Sequence, residues 1–506
     1  MSDLSRASSP TPPFSLAAWQ VVAVGFCVVC AALLRGWAAQ GDLWLDEIWS
    51  ISKARQCPSI WFIVTGLRYD NNHILNTIYQ YCIGPQSNPV ICRLLSILTG
   101  VGAVALLGIA AARRGFTAMF ATLWLAAFSY PLVLYSSEAR GFAPAVFCAL
   151  ASFLLIQEYW RARKIRTLAL FWISAVLGFS SHMTYLFVYL ALCAWSVAEE
   201  ARRNWRRPAF FGELAKCHVP PLLFLAFLYL VQVRDLIISG GPIFTKWEVV
   251  RSALLLSSGM GQAGFLGTAG AVAVTAAALY AIFQLRMEEP GERLFYLTTL
   301  FLAPALVLLA LRPRFFYFRY FLVCFPFLYL LLGRMLAEIS RVKVWGRPLC
   351  IALLLLFLAG NAYPIARLLI YGRGQYRAAL LYMAENTPGA EIAVGSDKDE
   401  RNKATLEFHA DALPSGKRLV YVSKGNWPDG GPAWFILHCQ DLKYRPPARL
   451  RVAQGGEYAF SREFAHEGTS GLRWFVYRNL GRPADGASIL RASILHSTSL
   501  RESGRI

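Results

Sequence analysis

Long apolar runs separated by short polar connections dominate the first 366 residues of the chain. A run of about 20 apolar residues has the length of a helix that spans a membrane. The pattern predicts eleven membrane-spanning helices, at residues 16–38, 91–112, 116–134, 141–158, 167–181, 184–198, 217–233, 265–285, 294–311, 320–338 and 348–366. A further apolar stretch, residues 250–262, is predicted to be a re-entrant or surface helix.

The periodicity changes after residue 367. A helical period covers Tyr376 to Glu385, and short runs such as EIAVG, RLVYVS, PAWFILH, EYAFSREFAHEG and GLRWFVYRN are typical of strands around a second helix, DERNKATLEFHADAL. We therefore predict a polytopic α-helical membrane domain at residues 16–366, followed by an α/β domain at 367–480. Residues 1–15 are predicted to be a cytoplasmic leader, and residues 481–506 a flexible tail.

Composition and charge agree with a membrane protein. Only 16% of the residues are charged and 56% are hydrophobic, whereas an average soluble domain is about 25% charged. The net charge of +20 comes largely from basic residues in alternate connections, such as 161–166 and 341–347, and this bias predicts a cytoplasmic N-terminus. An odd number of spans then places the α/β domain outside. The basic residues do not form a soluble basic domain with interleaved aromatics, so we expect no nucleic-acid partner.

Acidic residues directly follow the first apolar run, in the stretch DLWLDEIWS at the start of a long external loop, residues 39–89. Asp46 and Glu47 are costly to desolvate there, and two interpretations are open. A carboxylate screened from water by Trp44 and Trp49 has a raised proton affinity and suits a general base towards a hydroxyl. Alternatively, the pair caps a helix that begins near Ile48.

Two histidines also fall on the predicted outer side: His73 in DNNHILN and His182 in SSHMTY. A lone histidine is most often a packing residue, and neither lies in an HxH or HExxH motif. Together with Asp46 and Glu47, His73 is a candidate ligand of a divalent metal, and hard oxygen ligands favour Mg²⁺ or Mn²⁺.

Two further external connections carry charges. In YSSEARGF, Glu138 and Arg140 form either an interfacial ion pair or a group in which Arg140 neutralises an anion near Asp46. The stretch RPRFFYFRYF places Arg312, Arg314 and Arg319 outside, against the charge bias. Guanidinium groups among aromatics suit a phosphate at headgroup level with an isoprenoid tail below it, although general attraction to lipid headgroups is the simpler alternative.

The chain contains no Walker loop, no Rossmann glycine fingerprint with a suitable acid, and no GxSxG elbow. A nucleotide-driven pump is therefore not expected.

The segments WLDEIWS, NNHILN, SEARGF and RYFLVCFP resemble motifs of the GT-C class of integral membrane glycosyltransferases. The resemblance is to the bacterial family related to protein O-mannosyltransferases and the lipid A aminoarabinose transferase, and it covers residues 16–366. The chain departs from that family at HILN, where prolines more often follow the histidine, and at Gly141, where a larger residue is more frequent.

The resemblance implies that Asp46 is the catalytic base and that Glu47 orients the acceptor or a metal. It also implies that Arg140 and the arginines of the late loop bind the donor phosphate. Glu138, His73 and His182 are candidate supporting residues of the same site. The implied reaction moves a sugar from a polyprenyl-phosphate donor to a lipid, glycan or protein hydroxyl at the outer face of a bacterial inner membrane. One displacement inverts the anomeric centre, whereas retention calls for a second carboxylate, for which Glu138 is the nearby candidate.

A lipid-linked glycan transporter or flippase without chemistry is the alternative. It predicts ionisable residues along a path through the bilayer and a repeat between the two halves. The sequence shows no internal repeat, and the candidate residues cluster at one face.

Overall fold

A computed structural model of the chain describes residues 16–481, apart from residues 87, 207–208, 239–240, 261–263, 285–289, 311–314 and 453–455. The predicted leader and all but the first residue of the predicted tail lie outside the described residues, as do Arg312 and Arg314.

Nineteen α-helices account for most of the described chain. In chain order they are α1 (Ala18–Ala38), α2 (Leu45–Gln56), α3 (Ile60–Thr65), α4 (Ile74–Ile83), α5 (Pro89–Ala112), α6 (Phe116–Phe128), α7 (Tyr130–Ser136), α8 (Phe142–Ala162), α9 (Ile165–Ser181), α10 (Tyr185–Asn204), α11 (Ala209–Leu228), α12 (Lys246–Ser258), α13 (Gly264–Gln284), α14 (Pro290–Leu297), α15 (Ala303–Ala310), α16 (Phe325–Ser340), α17 (Gly346–Tyr371), α18 (Tyr376–Glu385) and α19 (Asp399–Phe408). Short π-helical turns extend α11 and join α14 to α15, and a 3₁₀ turn at Phe318–Cys324 leads into α16.

Each of the eleven predicted spans coincides with helical structure. Within the described residues, eight helices are long and apolar enough to cross a membrane, and a ninth span results if the bent pair α6 and α7 is counted as one. The apolar helix α9 has 17 residues and is shorter than these eight candidate spans. The polytopic helical architecture predicted from the sequence is thus confirmed, while the exact number of crossings stays a prediction.

The bend between α6 and α7 has a local cause. Ser129 takes an extended backbone conformation and accepts a hydrogen bond from the Leu132 amide, so it caps a new helix. Pro131 lies in the first turn, where its missing N–H costs nothing. The two helices meet at 59°, and this bend positions the connection at residues 137–141, which follows α7, at the candidate site.

The C-terminal part forms one six-stranded sheet with the order β2-β1-β3-β6-β5-β4. The strands are β1 (Glu391–Ser396), β2 (Arg418–Tyr421), β3 (Trp434–Cys439), β4 (Arg449–Arg451), β5 (Glu457–Phe464) and β6 (Arg473–Asn479). The first strand runs parallel to β2 and β3, and the remaining pairs are antiparallel. The predicted α/β architecture is confirmed; the three-residue strand β4 was not predicted, because its sequence lacks a clear period.

The α/β domain packs directly on the long loop at residues 39–89. Trp44 and Leu45 belong to the same apolar core as Leu380, Met383 and residues of the sheet. This shared core fixes the start of α2 between the two parts of the molecule.

The connection between β5 and β6 reaches the membrane domain. The carboxylate of Glu467 accepts a hydrogen bond from the hydroxyl of Tyr130, and Arg367 donates to the carbonyls of His466 and Glu467 at 2.8 and 3.0 Å. The α/β domain is therefore held at the start of α7 and the end of α17.

Candidate active site

The stretch DLWLDEIWS forms the N-terminus of α2, with Trp44 as its N-cap and both acids in its first turn. Carboxylates are stabilised at this end of a helix by the positive end of its dipole. Because consecutive residues of a helix are about 100° apart, Asp46 and Glu47 face different surroundings.

Glu47 is fully buried in an ion pair with Arg93. The guanidinium donates from Nε and Nη2 to the two carboxylate oxygens at 2.7 and 2.6 Å, and the backbone amides of Ala139 and Trp44 donate at 2.7 and 3.1 Å. Burial alone raises the pKa of Glu47, but the charge and hydrogen bonds of Arg93 outweigh it and hold the pKa below its ordinary value. Glu47 presents no free oxygen to a substrate, so the geometry favours the helix-capping interpretation over the catalytic role predicted for it.

Arg93 was not singled out in the sequence, although a lone arginine inside the apolar helix α5 is a signal of function or pairing. Its remaining donors bind the carbonyls of Ala39, Gly41 and Asp42 at 2.6–2.9 Å. Arg93 therefore fixes the path of the chain from α1 into α2, and with it the position of Asp46.

Asp46 is the accessible acid of the pair, with 18% of its side chain exposed. Its Oδ2 accepts from Nη1 of Arg140 at 2.7 Å and lies 3.6 Å from Nη1 of Arg319. The Asp46 carbonyl also accepts from Asn71 at 2.7 Å. The structure thus brings together one carboxylate and two arginines that are distant in the sequence.

Arg140 is held from three sides. In addition to Asp46, it donates to Oδ1 of Asn71 at 2.7 Å and to Nε2 of His73 at 3.3 Å, and its guanidinium lies 5.2 Å from the ring centre of Phe142. Only 5% of its side chain is exposed. Arg140 is therefore suited to orient Asp46, with little of its surface left for the phosphate predicted to bind there.

His73 and His182 stack on each other with their ring centres 4.9 Å apart. Burial and the charge of Arg140 hold the pKa of His73 well below its ordinary value and lower the pKa of His182 to about 3. His182 accepts from the Thr184 amide at its Nδ1, which leaves the proton of the neutral ring on Nε2. Both rings are therefore neutral near pH 7.

Gly141 makes this stack feasible. A Cβ at position 141 would collide with the Ser181 carbonyl oxygen and would lie 2.9 Å from Cβ of His73. The small residue that departs from the family pattern is required here by close backbone packing of the start of α8 against the end of α9.

Glu138 lies behind Arg140 and is fully buried. Its Oε1 accepts from the indole N–H of Trp44 at 2.9 Å, and its Oε2 lies 3.9 Å from Nε of Arg373, which is equally buried. Burial raises the pKa of Glu138, and the charges of Arg140 and Arg373 oppose that rise. Arg373 belongs to the segment after α17 and had no signal in the sequence beyond its charge.

Arg319 is a cation of the site whose guanidinium keeps one N–H without a hydrogen-bond partner among the described residues. Its guanidinium lies 4.6 Å from the ring centre of Tyr317, and its Nε has no hydrogen-bond partner among the described residues. One fifth of its side chain is exposed. Of the three arginines predicted for the late loop, Arg319 is the one within the described residues, and it faces Asp46.

Asp70 lies on the same side of the molecule and was not predicted. Burial raises the pKa of Tyr317 to about 12; Arg319 opposes this rise, whereas Asp46 and Asp70 add to it. The exposed Asp70 is thus near the aromatic side chains beside Arg319.

The predicted metal ligands do not come together. Both oxygens of Glu47 are used by Arg93 and by backbone amides, and His73 accepts from Arg140. No group of three His, Cys, Asp or Glu side chains within the described ranges is arranged to hold a metal ion. These residues therefore do not fit the Mg²⁺ or Mn²⁺ site for which they were candidate ligands.

Comparisons with known proteins give no match by sequence: neither a family model nor a curated protein matches the chain. The structure is similar to that of ArnT from Cupriavidus metallidurans in the apo state, with a TM-score of 0.53 and 11% identity over 91% of this chain and 98% of that chain. ArnT bound to undecaprenyl phosphate gives a TM-score of 0.47 with 14% identity over 93% and 100% of the two chains. An oligosaccharyltransferase from Archaeoglobus fulgidus, in complex with Zn and sulfate, gives a TM-score of 0.41 with 13% identity. The match covers 83% of this chain and 67% of that chain.

The likeness to apo ArnT extends over nearly the whole of both chains and shows a common fold. The GT-C architecture predicted from four short motifs is thereby confirmed.

Proposed function

We propose that this chain is a membrane glycosyltransferase that moves a sugar from a polyprenyl-phosphate-linked donor to a hydroxyl group. The observation that carries the proposal is the position of Asp46, whose partly exposed carboxylate lies between Arg140 at 2.7 Å and Arg319 at 3.6 Å. A base next to a cation is what such a transfer requires, because a proton is taken from the acceptor while negative charge develops on the leaving phosphate.

Asp46 removes the proton of the acceptor hydroxyl as its oxygen forms a bond to the anomeric carbon. The bond from that carbon to the phosphate oxygen breaks, and the electron pair leaves with the polyprenyl phosphate. Arg319 stabilises this charge, since its Nε has no hydrogen-bond partner among the described residues. Arg140 keeps Asp46 in place.

A single displacement with inversion follows from this assignment. The second carboxylate considered for retention, Glu138, has no exposed surface and lies against Trp44 and Arg373. It is not placed to attack a sugar.

A lipid-linked donor is supported by features of this chain itself. These are the helices able to span a membrane, the missing nucleotide motifs, and an arginine among aromatics at the end of a span. One of the similar structures, ArnT, was solved with undecaprenyl phosphate bound, which is a lipid of the same chemical class. We place the reaction at the outer face of a bacterial inner membrane, with the N-terminus in the cytoplasm.

The test is turnover of polyprenyl-phosphate sugars by the purified chain in lipid nanodiscs. We expect release of free polyprenyl phosphate and a gain of one sugar mass on an acceptor from the cell envelope. Movement of labelled lipid between leaflets without any bond cleavage would instead establish the transporter alternative. Comparison of envelope glycans by mass spectrometry, with and without the gene, identifies the sugar and the acceptor.

A further inference from the structure

Arg373 reaches from the segment between α17 and α18 into the membrane domain, and its side chain is fully buried. Its guanidinium donates from Nη2 to the Leu134 carbonyl at 2.5 Å and to Oγ of Ser137 at 3.1 Å. Its Nε lies 3.9 Å from Oε2 of Glu138. One arginine therefore contacts both the last turn of α7 and the connection at residues 137–141, which carries Arg140.

The backbone of Arg373 is held by the α/β domain. Its carbonyl accepts a hydrogen bond from the hydroxyl of Tyr376 at 2.9 Å and from the amide of Leu472 at 3.2 Å. Both partners belong to the core that the α/β domain shares with the start of α2. A Cβ on Gly471 would collide with the Arg373 carbonyl. The α/β domain thus sets the position from which the guanidinium enters the membrane domain.

The carboxylate of Glu138 lies between two cations. Its Oε2 faces Arg373, and its Oε1 lies 3.7 Å from Nη1 of Arg140. The same nitrogen of Arg140 donates to Asp46 at 2.7 Å, so Glu138 and Asp46 compete for one guanidinium group. A buried carboxylate that loses one of its cations is costly and draws the remaining cation more strongly. Arg373 is therefore placed to satisfy Glu138 and to leave Arg140 on Asp46.

We propose that Arg373 is a positioning residue for sugar transfer: it neutralises Glu138 and thereby keeps Arg140 on Asp46. The α/β domain, through this one side chain, then takes part in assembling the active site. The inference rests on the proposed function, in which Asp46 is the base. A purely structural tie between the two parts of the molecule is the alternative, and it does not predict that removal of the Glu138 charge compensates for the loss of Arg373.

The experiment compares turnover of a polyprenyl-phosphate sugar by variants of the full chain in nanodiscs. Arg373→Gln is expected to lower kcat by up to about 10²-fold, the effect of displacing a group at the reacting centre, with little change in donor KM. Arg373→Lys keeps a cation and should retain more activity than Arg373→Gln. The double variant, Arg373→Gln with Glu138→Gln, should recover at least about tenfold of the loss, because nothing then competes with Asp46 for Arg140.

Arg473→Gln is the matched control. Arg473 is another buried arginine of the α/β domain and pairs with Glu463 at 2.6 Å, so its loss is expected to lower stability without changing kcat. Hydrogen exchange of residues 137–141 adds a measurement that needs no turnover. The Arg140 amide donates to the Glu138 carbonyl at 2.8 Å, and we expect this segment to exchange faster in Arg373→Gln than in the wild type or in Arg473→Gln.

Wild-type kcat and exchange in Arg373→Gln would overturn the inference, and so would a double variant no more active than Arg373→Gln. If Arg373→Gln does not fold, the double variant decides, because it removes both buried charges together. Its kcat should then lie within about tenfold of the wild type, and a folded double variant with a larger loss overturns the inference.

A wild-type chain without turnover would refute the proposed function by itself. Exchange of residues 137–141 then decides whether Arg373 positions Arg140. Faster exchange in Arg373→Gln alone supports that role, and equal exchange in Arg373→Gln and wild type overturns it.

Discussion

Arg140 donates to Asp46 over 2.7 Å, although the two residues are 94 positions apart and belong to different connections of the membrane domain. Asn71 and His73 complete the set of groups that hold Arg140. The long loop at residues 39–89 and the connection between α7 and α8 therefore form one unit, with Asp46 as its partly exposed carboxylate.

Replacement of Asp46 by Asn is expected to lower the rate of sugar transfer about 10²- to 10⁴-fold, the contribution typical of a general base. Asp42→Asn is a matched control, because Asp42 lies in the same stretch with a similar exposed fraction, 16% against 18%, but pairs with Arg377. We expect Asp42→Asn to retain most of the activity. Turnover of both variants with native lipid donor checks this, and equal loss in both would count against a specific role for Asp46.

Arg319→Gln is expected to lower kcat about 10²- to 10³-fold, since it removes a donor from the developing charge of the phosphate. Arg319→Lys keeps the positive charge but lacks the planar guanidinium, so its kcat should lie between that of the wild type and that of Arg319→Gln. Arg341→Gln serves as control, because Arg341 is exposed and pairs with Glu338. A change in acceptor KM alone, with kcat unaltered, would place Arg319 at the acceptor.

Glu47→Gln is expected to destabilise the fold by about 3–5 kcal/mol, because it leaves the buried Arg93 charge unpaired. In the double variant, Glu47→Gln with Arg93→Gln, the free energy of unfolding should fall by less than the sum of the falls in the two single variants. Thermal unfolding in detergent measures both. A Glu47→Gln protein with native stability and no activity would restore the catalytic role that the geometry argues against.

Gly141→Ala is expected to lower the free energy of unfolding by about 1–3 kcal/mol or more, because its Cβ would collide with the Ser181 carbonyl. It should also lower activity through displacement of the histidine stack. Gly25→Ala in α1 is the control, because a Cβ at position 25 would have no atom within 4 Å. It should leave the free energy of unfolding unchanged or raise it by up to about 1 kcal/mol through the higher helix propensity of Ala. Similar unfolding temperatures for the two variants would show that the predicted collision is relieved by a backbone shift.

Acid should destabilise the site through its histidines. The pKa of His182 is lowered to about 3 in the folded chain, against about 6.5 when unfolded. The neutral ring contributes its full stability above pH 6.5, and this is lost as pH falls from 6.5 towards 3, by up to about 1.4 kcal/mol per pH unit. In His182→Asn, the free energy of unfolding should depend less steeply on pH between about pH 3 and 6.5, by the equivalent of about one proton. An unchanged slope would assign the effect to other buried histidines.

The hydrophobic pattern alone determined most of the fold. All eleven apolar segments are helical, and the strands EIAVG, RLVYVS, PAWFILH and GLRWFVYRN form a sheet, because span length and alternation are properties of consecutive residues. The sequence also assigned Asp46, Glu138, Arg140 and His73 to one face of the membrane domain, and in the structure Arg140 contacts the other three.

Only the tertiary structure decided what each charge does. Asp46 and Glu47 are adjacent in sequence, yet Asp46 is partly exposed and faces two arginines, whereas Glu47 is fully buried against Arg93. The partners Arg93, Asn71 and Arg373 come from three other segments, and Gly141 matters through its contact with a helix end forty residues away. The role of a carboxylate depends on burial and on the charges packed around it, and these are set by contacts between distant parts of the chain.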